Sequence, residues 1–431
     1  MPPYNETDRP AVERFHQAAM NGELEAVQAA LAGGVDVNAL WHGGQTALML
    51  ALQSKHLPIA KLLIEQGADL ELADDFNSTA LRHAVDVDFA EGVRLLLGLG
   101  VDRGRHPRDP LKKLALDPGS LPMQEFPEEL KGAFTEEQWA ALSEEMDRDL
   151  LAFEPTAQPI IGAVQSVEVL ELFLAMGDDV NLAPRETKRA WVGLTNGGEL
   201  SVAPRAYKAN KGPRFGTANP ERMNKPFWQD MIRVGCNAHT ARTHFKDPDP
   251  FPFSKAVWCY DRFGSTITRL GDGRFVEVGG EHEDFYDPDF YIYNDVVIHD
   301  GHGAAEIYGY PSKVFRPTDG HTATLCPDGI YLIGCLGYPD DRQAGFTPVY
   351  LLELDSWRIT PVETTGEMPG WINGHQATYN PDQGTISVAG GTVHVLENGE
   401  GKLVPNEQEF VLDLETRVWR QESAIKSGLS K

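Results

Sequence analysis

The residues best suited to chemistry stand together at Glu281-His282-Glu283-Asp284-Phe285-Tyr286-Asp287-Pro288-Asp289. Carboxylates with one imidazole form a donor set for a divalent cation. The same charges can face a basic partner, or simply solvent. The run follows the pair Gly279-Gly280, in a loop position of the kind that carries function. Elsewhere the chain shows no GxSxG elbow, phosphate-binding loop, HExxH or dinucleotide fingerprint. No catalytic residue is therefore assigned, and no cofactor or bound metal is expected.

Composition narrows the class. A chain of 431 residues should hold two or three domains, and 41% apolar with 24% charged residues is ordinary globular usage. Lys and Arg number 38 against 64 Asp and Glu, for a formal charge of -26. A field of that sign repels nucleic acid and anionic membrane, and favours basic partners. The start, Met1-Pro2-Pro3-Tyr4-Asn5, lacks the cationic and apolar regions of a secretory signal, and no apolar run approaches a membrane span. Cys236, Cys259, Cys326 and Cys335 form no CxxC pair, which fits free thiols in a reducing compartment. Cytoplasm is the expected location.

The elements that must position any site announce themselves by repetition. Gly34-Val35-Asp36-Val37-Asn38, Gly67-Ala68-Asp69-Leu70-Glu71 and Gly100-Val101-Asp102 recur every 33 residues. Thr46-Ala47-Leu48 and Thr79-Ala80-Leu81 keep the same interval. The spacing predicts a helix capped by the Thr46 hydroxyl, then a second helix striped by Ile59, Leu62, Leu63 and Ile64, ended by left-handed Gly67. One such unit cannot bury its own apolar face, so neighbours must stack. These residues resemble the ankyrin repeat, over 11–107 and again over 156–184, where Thr156-Ala157-Gln158 leads to Gly177-Asp178-Asp179-Val180-Asn181. Between them lies an insertion, about 108–155, with a helix expected from Thr135. On this repeat side Trp41, His42 and Phe76 are expected to meet a partner.

Between Arg185 and Lys246 the balance reverses, with twelve Lys or Arg against four Asp or Glu. This connector, taken as 185–255, is expected to lie across the protein's own acidic surface, with one helix from Pro226 to about Phe245.

From about Ala256 short alternating strands take over. Gly264-Ser265-Thr266, Gly320-His321-Thr322 and Gly374-His375-Gln376 open three units, each continuing to a strand with small residues at its end. Trp357 and Trp419 close the last two units. The equivalence of His321 and His375 predicts a structural hydrogen bond between strands rather than catalysis. The pattern resembles the kelch repeat over roughly 256–421, which implies propeller-like blades. A closed ring needs more than three blades. Trp191-Val192-Gly193, Leu200-Ser201-Val202 and Val257-Trp258-Cys259-Tyr260 are candidate strands of a degenerate fourth. In some kelch proteins, the plant specifier proteins, a Glu, Asp and His four apart hold iron. Glu283 and Asp287 match that spacing, but Tyr291 stands in the histidine's place.

The expected fold is thus an α + β multidomain chain. An N-terminal ankyrin α-solenoid occupies 1–184, and an all-β kelch-type propeller-like domain with three recognisable blades occupies 256–431. Both resemblances imply protein binding. Trp41, His42, Phe76, Glu281, Glu283, Asp284, Phe285, Tyr286, Asp287, Tyr338 and Trp371 are the expected partner-binding residues. The leading function is a non-catalytic interaction scaffold. Its alternatives are an immunity- or inhibitor-type protein neutralising a basic toxin, and a metal-dependent enzyme of the β domain.

Overall fold

The computed structural model describes residues 9–104, 159–195, 197–247, 255–282, 290–397 and 399–422. The helix expected from Thr135, and Thr156, lie outside them. The chain divides into two compact units, residues 1–188 and 189–431.

The first unit is helical. Helices α1 (Arg9–Asn21) and α2 (Leu24–Ala32), α3 (Ala47–Gln53) and α4 (Leu57–Glu65), and α5 (Ala80–Asp86) and α6 (Ala90–Gly98) form three pairs. Helix α1 packs on α3 and α3 on α5, while α2 packs on α4 and α4 on α6, so the pairs stack in two layers. Six consecutive residues of α3, Ala47 to Leu52, are buried because the helix has neighbours on both sides. The predicted cap is present: the Thr46 hydroxyl accepts the Met49 amide at 3.3 Å. Gly34, Gly67, Gly100 and Gly177 all hold positive φ, at 88°, 87°, 76° and 83°. The 33-residue clock is therefore a clock of left-handed helix ends, where a side chain is strained. A second ladder runs between pairs. Asn38 Oδ1 accepts the Asp69 amide, and Glu71 Oε1 accepts the Asp102 amide, both at 2.8 Å. Beyond the third pair, a 3-10 turn at Ile160–Ala163 packs on α5 and α7 (Val167–Ala175) packs on α6. Helix α8 (Arg185–Trp191) carries the boundary between the units.

The second unit begins with helices α9 (Pro204–Asn210), α10 (Pro226–Val234) and α11 (Ala238–Phe245). The single helix expected from Pro226 to Phe245 is broken. Gly235 turns left-handed at φ 70°, and Asn237 restarts the chain by accepting the Thr240 amide at 2.8 Å. Arg189 lies at the break, donating to the carbonyls of Ile232 and Arg233 at 2.9 and 3.1 Å.

Three sheets follow. The first holds β1 (Glu221–Arg222), β2 (Thr266–Arg269), β3 (Phe275–Val278), β6 (Val296–His299) and β7 (Ala305–Gly309), in the order β1-β7-β6-β3-β2; the pair β4 (Glu281–His282) and β5 (Tyr291–Ile292) lies between β3 and β6 in the chain. The second runs β11-β10-β9-β8, from β8 (Thr322–Cys326), β9 (Gly329–Ile333), β10 (Val349–Leu352) and β11 (Ile359–Pro361). The third runs β12-β19-β18-β15-β14, from β12 (Thr365–Gly366), β14 (Gln376–Asn380), β15 (Thr385–Ala389), β18 (Glu409–Asp413) and β19 (Val418–Glu422). A smaller sheet, β13 (Trp371–Asn373), β16 (Thr392–Glu397) and β17 (Glu400–Pro405), branches from it.

Strand periodicity explains the stacking. In β9 every residue is buried: Ile330 and Leu332 pack with Val276 and Ile298 of the first sheet, and Tyr331 and Ile333 with Ile386 and Val388 of the third. A strand covered on both faces must be apolar throughout, as Gly-Ile-Tyr-Leu-Ile is. The opening strands also lie side by side, β2 next to β8 and β8 next to β14. Gly320 donates its amide to the Gly264 carbonyl at 2.9 Å, and Gly374 to the Gly320 carbonyl at 2.8 Å.

The segments considered for a fourth blade form no strand. Trp191 ends α8, and 200–202 and 257–260 are irregular. They pack against the first sheet and helix α10 instead. Trp191 meets Phe275 with ring centroids 4.7 Å apart, and Trp258 stacks on Trp228 at 5.1 Å. At the opposite end the third sheet turns Gln376, Thr378, Asn380, Glu409, Arg420 and Glu422 outward, all exposed.

Candidate functional site

In the helical unit the candidate residues lie on turns between helix pairs. Residues His42–Gly44 form a 3-10 turn, and the Gly43 carbonyl accepts the Asp75 amide at 2.8 Å. The second turn, Asp74 to Ser78, is built on one carboxylate. Asp74 Oδ1 accepts the amides of Phe76 and Ser78 at 2.9 and 2.8 Å, and Oδ2 meets His83 Nε2 at 3.0 Å. Asp74 is buried, whereas Phe76 at the tip is 61% exposed. A rigid base thus holds an apolar ring in water, an arrangement that favours insertion into a partner.

Trp41 and His42 sit on the neighbouring turn. Trp41 is half-buried and stacks on His16, centroids 5.8 Å apart, while His42 is exposed. His16 is fully buried, with ring nitrogens 2.7 Å from the Val12 carbonyl and 2.9 Å from that of Ala39. Burial pushes its pKa below the ordinary histidine value, against the pull of those carbonyls.

In the second unit Glu281 is half-buried and pairs by backbone with Phe263, at 2.8 and 2.9 Å. Glu283, Asp284, Phe285, Tyr286 and Asp287 lie outside the described residues. Tyr338 is half-buried, and its hydroxyl accepts the Ile292 amide at 2.9 Å. Trp371 corrects the expectation of an exposed anchor. It is fully buried, donating Nε1–H to the Leu336 carbonyl at 3.0 Å beneath the Arg316 guanidinium. The exposed rings nearby are others: Phe263 is 66% exposed and Phe290 40%.

Sequence reasoning missed a buried charged centre beside the first sheet. Arg262 forms a bidentate pair with Asp295, both side chains nearly inaccessible, and its guanidinium lies 3.5 Å from the Tyr293 ring centroid. Burial alone would weaken the Arg262 cation, but Asp295 more than offsets it and the pKa rises. Trp258 Nε1–H completes the Asp295 shell at 2.9 Å. Next to it Glu277 meets His299 Nε2 at 3.2 Å, and His299 meets the Tyr260 hydroxyl at 3.3 Å. Burial would raise the Glu277 pKa, yet His299 and Arg262 hold it below the ordinary glutamate value. These partners are 22 to 39 residues apart in the chain, beyond any local pattern. The predicted role of His321 and His375 is met: His321 Nε2 lies 2.9 Å from Thr266 Oγ1, and His375 Nε2 lies 2.9 Å from Thr322 Oγ1.

Comparison with known proteins agrees with the helical stack. Residues 15–105 match the family of ankyrin repeats (3 copies). They are ankyrin repeats, and no family match supports the kelch resemblance of the strand-rich region. The probable 26S proteasome regulatory subunit p28 of Saccharomyces cerevisiae is 35% identical over 88 residues, 20% of this chain and 39% of that protein. Protein phosphatase 1 regulatory subunit 27 of Mus musculus is 32% identical over 88 residues, 20% of this chain and 56% of its own. An L-asparaginase of Dirofilaria immitis is 39% identical over 66 residues, 15% of this chain and 11% of that enzyme. The chain thus spans between about a tenth and just over half of the relatives named. Among the described residues no helix is long and apolar enough to cross a membrane.

Proposed function

We propose that this chain is a non-catalytic protein-interaction scaffold of the cytoplasm, gripping a polypeptide partner with the turns of its ankyrin repeats. The carrying observation is Phe76, 61% exposed on a turn that Asp74 holds by two backbone amides. A basic partner suits the net charge of -26, which opposes nucleic acid and anionic membrane. Two relatives that share the repeats are regulatory subunits, and this supports a binding role. Four free cysteines are consistent with a reducing compartment.

In this reading residues 1–184 form an ankyrin domain of four units with an insertion at about 108–155. Residues 185–255 are a connector, and 256–431 a kelch-type domain of three blades. Three stacked, mainly antiparallel sheets with adjacent opening strands support the last assignment. Affinity purification with mass spectrometry, run on wild type and Phe76→Asp, tests the function. A basic partner released by added salt and lost from the variant is expected. Identical partner sets from both proteins would overturn the reading.

A further inference from the structure

The basic connector divides its cations into two groups. Some are spent internally: Arg189 on the end of α10, Arg214 on Glu221, Arg222 on Glu306 and Arg233 on Asp230. Others gather on one stretch of surface. Arg205 and Lys208 are exposed and three residues apart on α9, hence on one helix face. The Tyr207 and Phe245 rings stack 4.2 Å apart, which ties α9 to the end of α11, where exposed Lys246 follows. Arg242 donates to the Lys255 carbonyl at 2.6 Å, placing exposed Lys255 beside α11. Lys211 completes the group, bonded to Asp247 Oδ2 at 2.5 Å.

Asp247 is the carboxylate these contacts place in that group, and it also accepts the Tyr207 hydroxyl at 2.7 Å. Arg205, Lys208, Lys246 and Lys255 form no ion pair among the described residues. A chain of net charge -26 therefore presents a local cationic surface.

We propose that α9 and α11 form a docking surface for a short acidic segment of a protein partner, rich in Glu or Asp, held by Arg205, Lys208 and Lys246 with Lys211, Arg242 and Lys255 around them. This surface is separate from the repeat turns and stands or falls without them. Charge complementarity selects an anion. The aromatic rings select a polypeptide over nucleic acid: Tyr207 and Phe227 are fully buried, and Phe245 is stacked on Tyr207, so none is offered to a base. A long polyanion would also leave the patch and meet the repulsive field of the rest of the chain.

The test uses the full chain and a fluorescein-labelled short polyglutamate peptide, followed by anisotropy. Binding should weaken about tenfold in the triple variant Arg205→Glu/Lys208→Glu/Lys246→Glu and fall as salt rises. Lys313→Glu, a reversal at an exposed position among the sheets, should leave it unchanged. Unaltered circular dichroism of the triple variant separates lost binding from lost folding, and the milder Gln triple covers a variant that fails to fold. The proposal is overturned if wild type does not bind the peptide, or if Lys313→Glu weakens binding as much as the triple does. Tighter binding to an oligothymidylate of matching charge would assign the surface to nucleic acid instead. Self-association in sedimentation velocity, abolished by the triple variant, would assign it to a second copy.

Discussion

The Thr266 hydroxyl meets Nε2 of His321 at 2.9 Å, and one sheet further on Thr322 repeats the bond to His375 at the same distance. Both imidazoles are buried, and neither Nδ1 has a partner among the described residues. Burial holds the His321 pKa down to about 3 and the His375 pKa to about 4. Two neutral histidines thus stitch three sheets.

Acid should undo that stitching. Each folded pKa lies below the ordinary histidine value of about 6.5, so the unfolded chain takes up protons first as pH falls. The stability they contribute is complete above pH ~6.5 and is lost between there and pH ~4 for His375 or pH ~3 for His321, at up to about 1.4 kcal/mol per pH unit for each ring. Thermal melts from pH 7 to pH 4 should fall, and His321→Gln/His375→Gln should flatten the decline. An equal slope in wild type and variant would refute the assignment.

Removing the Arg262 side chain leaves Asp295 charged and enclosed. Arg262→Ala should cost about 3–5 kcal/mol, by the behaviour of broken buried ion pairs. Arg262→Met/Asp295→Leu should recover part of that loss. Urea unfolding of the three proteins gives the comparison, and a single variant as stable as wild type would contradict the buried pair.

Two glycines with similar φ should respond differently to alanine. Gly67 has φ 87° and open space at the Cβ position, so strain alone is expected, about 1–2 kcal/mol. Gly334 has φ 73°, and a Cβ there would sit 2.3 Å from the Ile372 carbonyl oxygen, forcing β13 away from the end of β9. Gly334→Ala should therefore be the more destabilising in thermal melts.

Asp74→Ala removes the acceptor of two amides and the partner of His83. A loss of about 1–3 kcal/mol is expected for buried donors left unmet. The local readout is faster hydrogen exchange at the Phe76 and Ser78 amides, and unchanged protection there would show that the turn holds without its carboxylate.

The helical stack was legible because its glycine marker is locally forced: a positive φ at Gly67 admits few residues but glycine, and the Thr46 hydroxyl caps its helix, whereas the equivalent Thr79 makes no such bond. The positions of His321 and His375 were readable for a related reason, since repeated chemistry marks repeated geometry. For Trp371 the sequence left two readings open, an exposed anchor and a plug between blades, because the hairpin β16–β17 that pairs with β13 lies beyond it in the chain. Nor could spacing reveal Arg262 with Asp295, which meet only once the first sheet has formed. The break at Gly235 was visible in principle: Gly235 followed by Asn237 is a stop and a start. Phe76, expected to meet a partner, is exposed, while Glu283 to Asp287 lie outside the described residues.

The outward residues of the third sheet have one more implication. Gln376, Thr378, Arg420 and Glu422 wet much of their own side of the array, which lowers the demand of this end for a further layer. Length here is a matter of which strand first alternates polar with apolar, and a graft of aliphatic side chains on those positions would create demand for another layer.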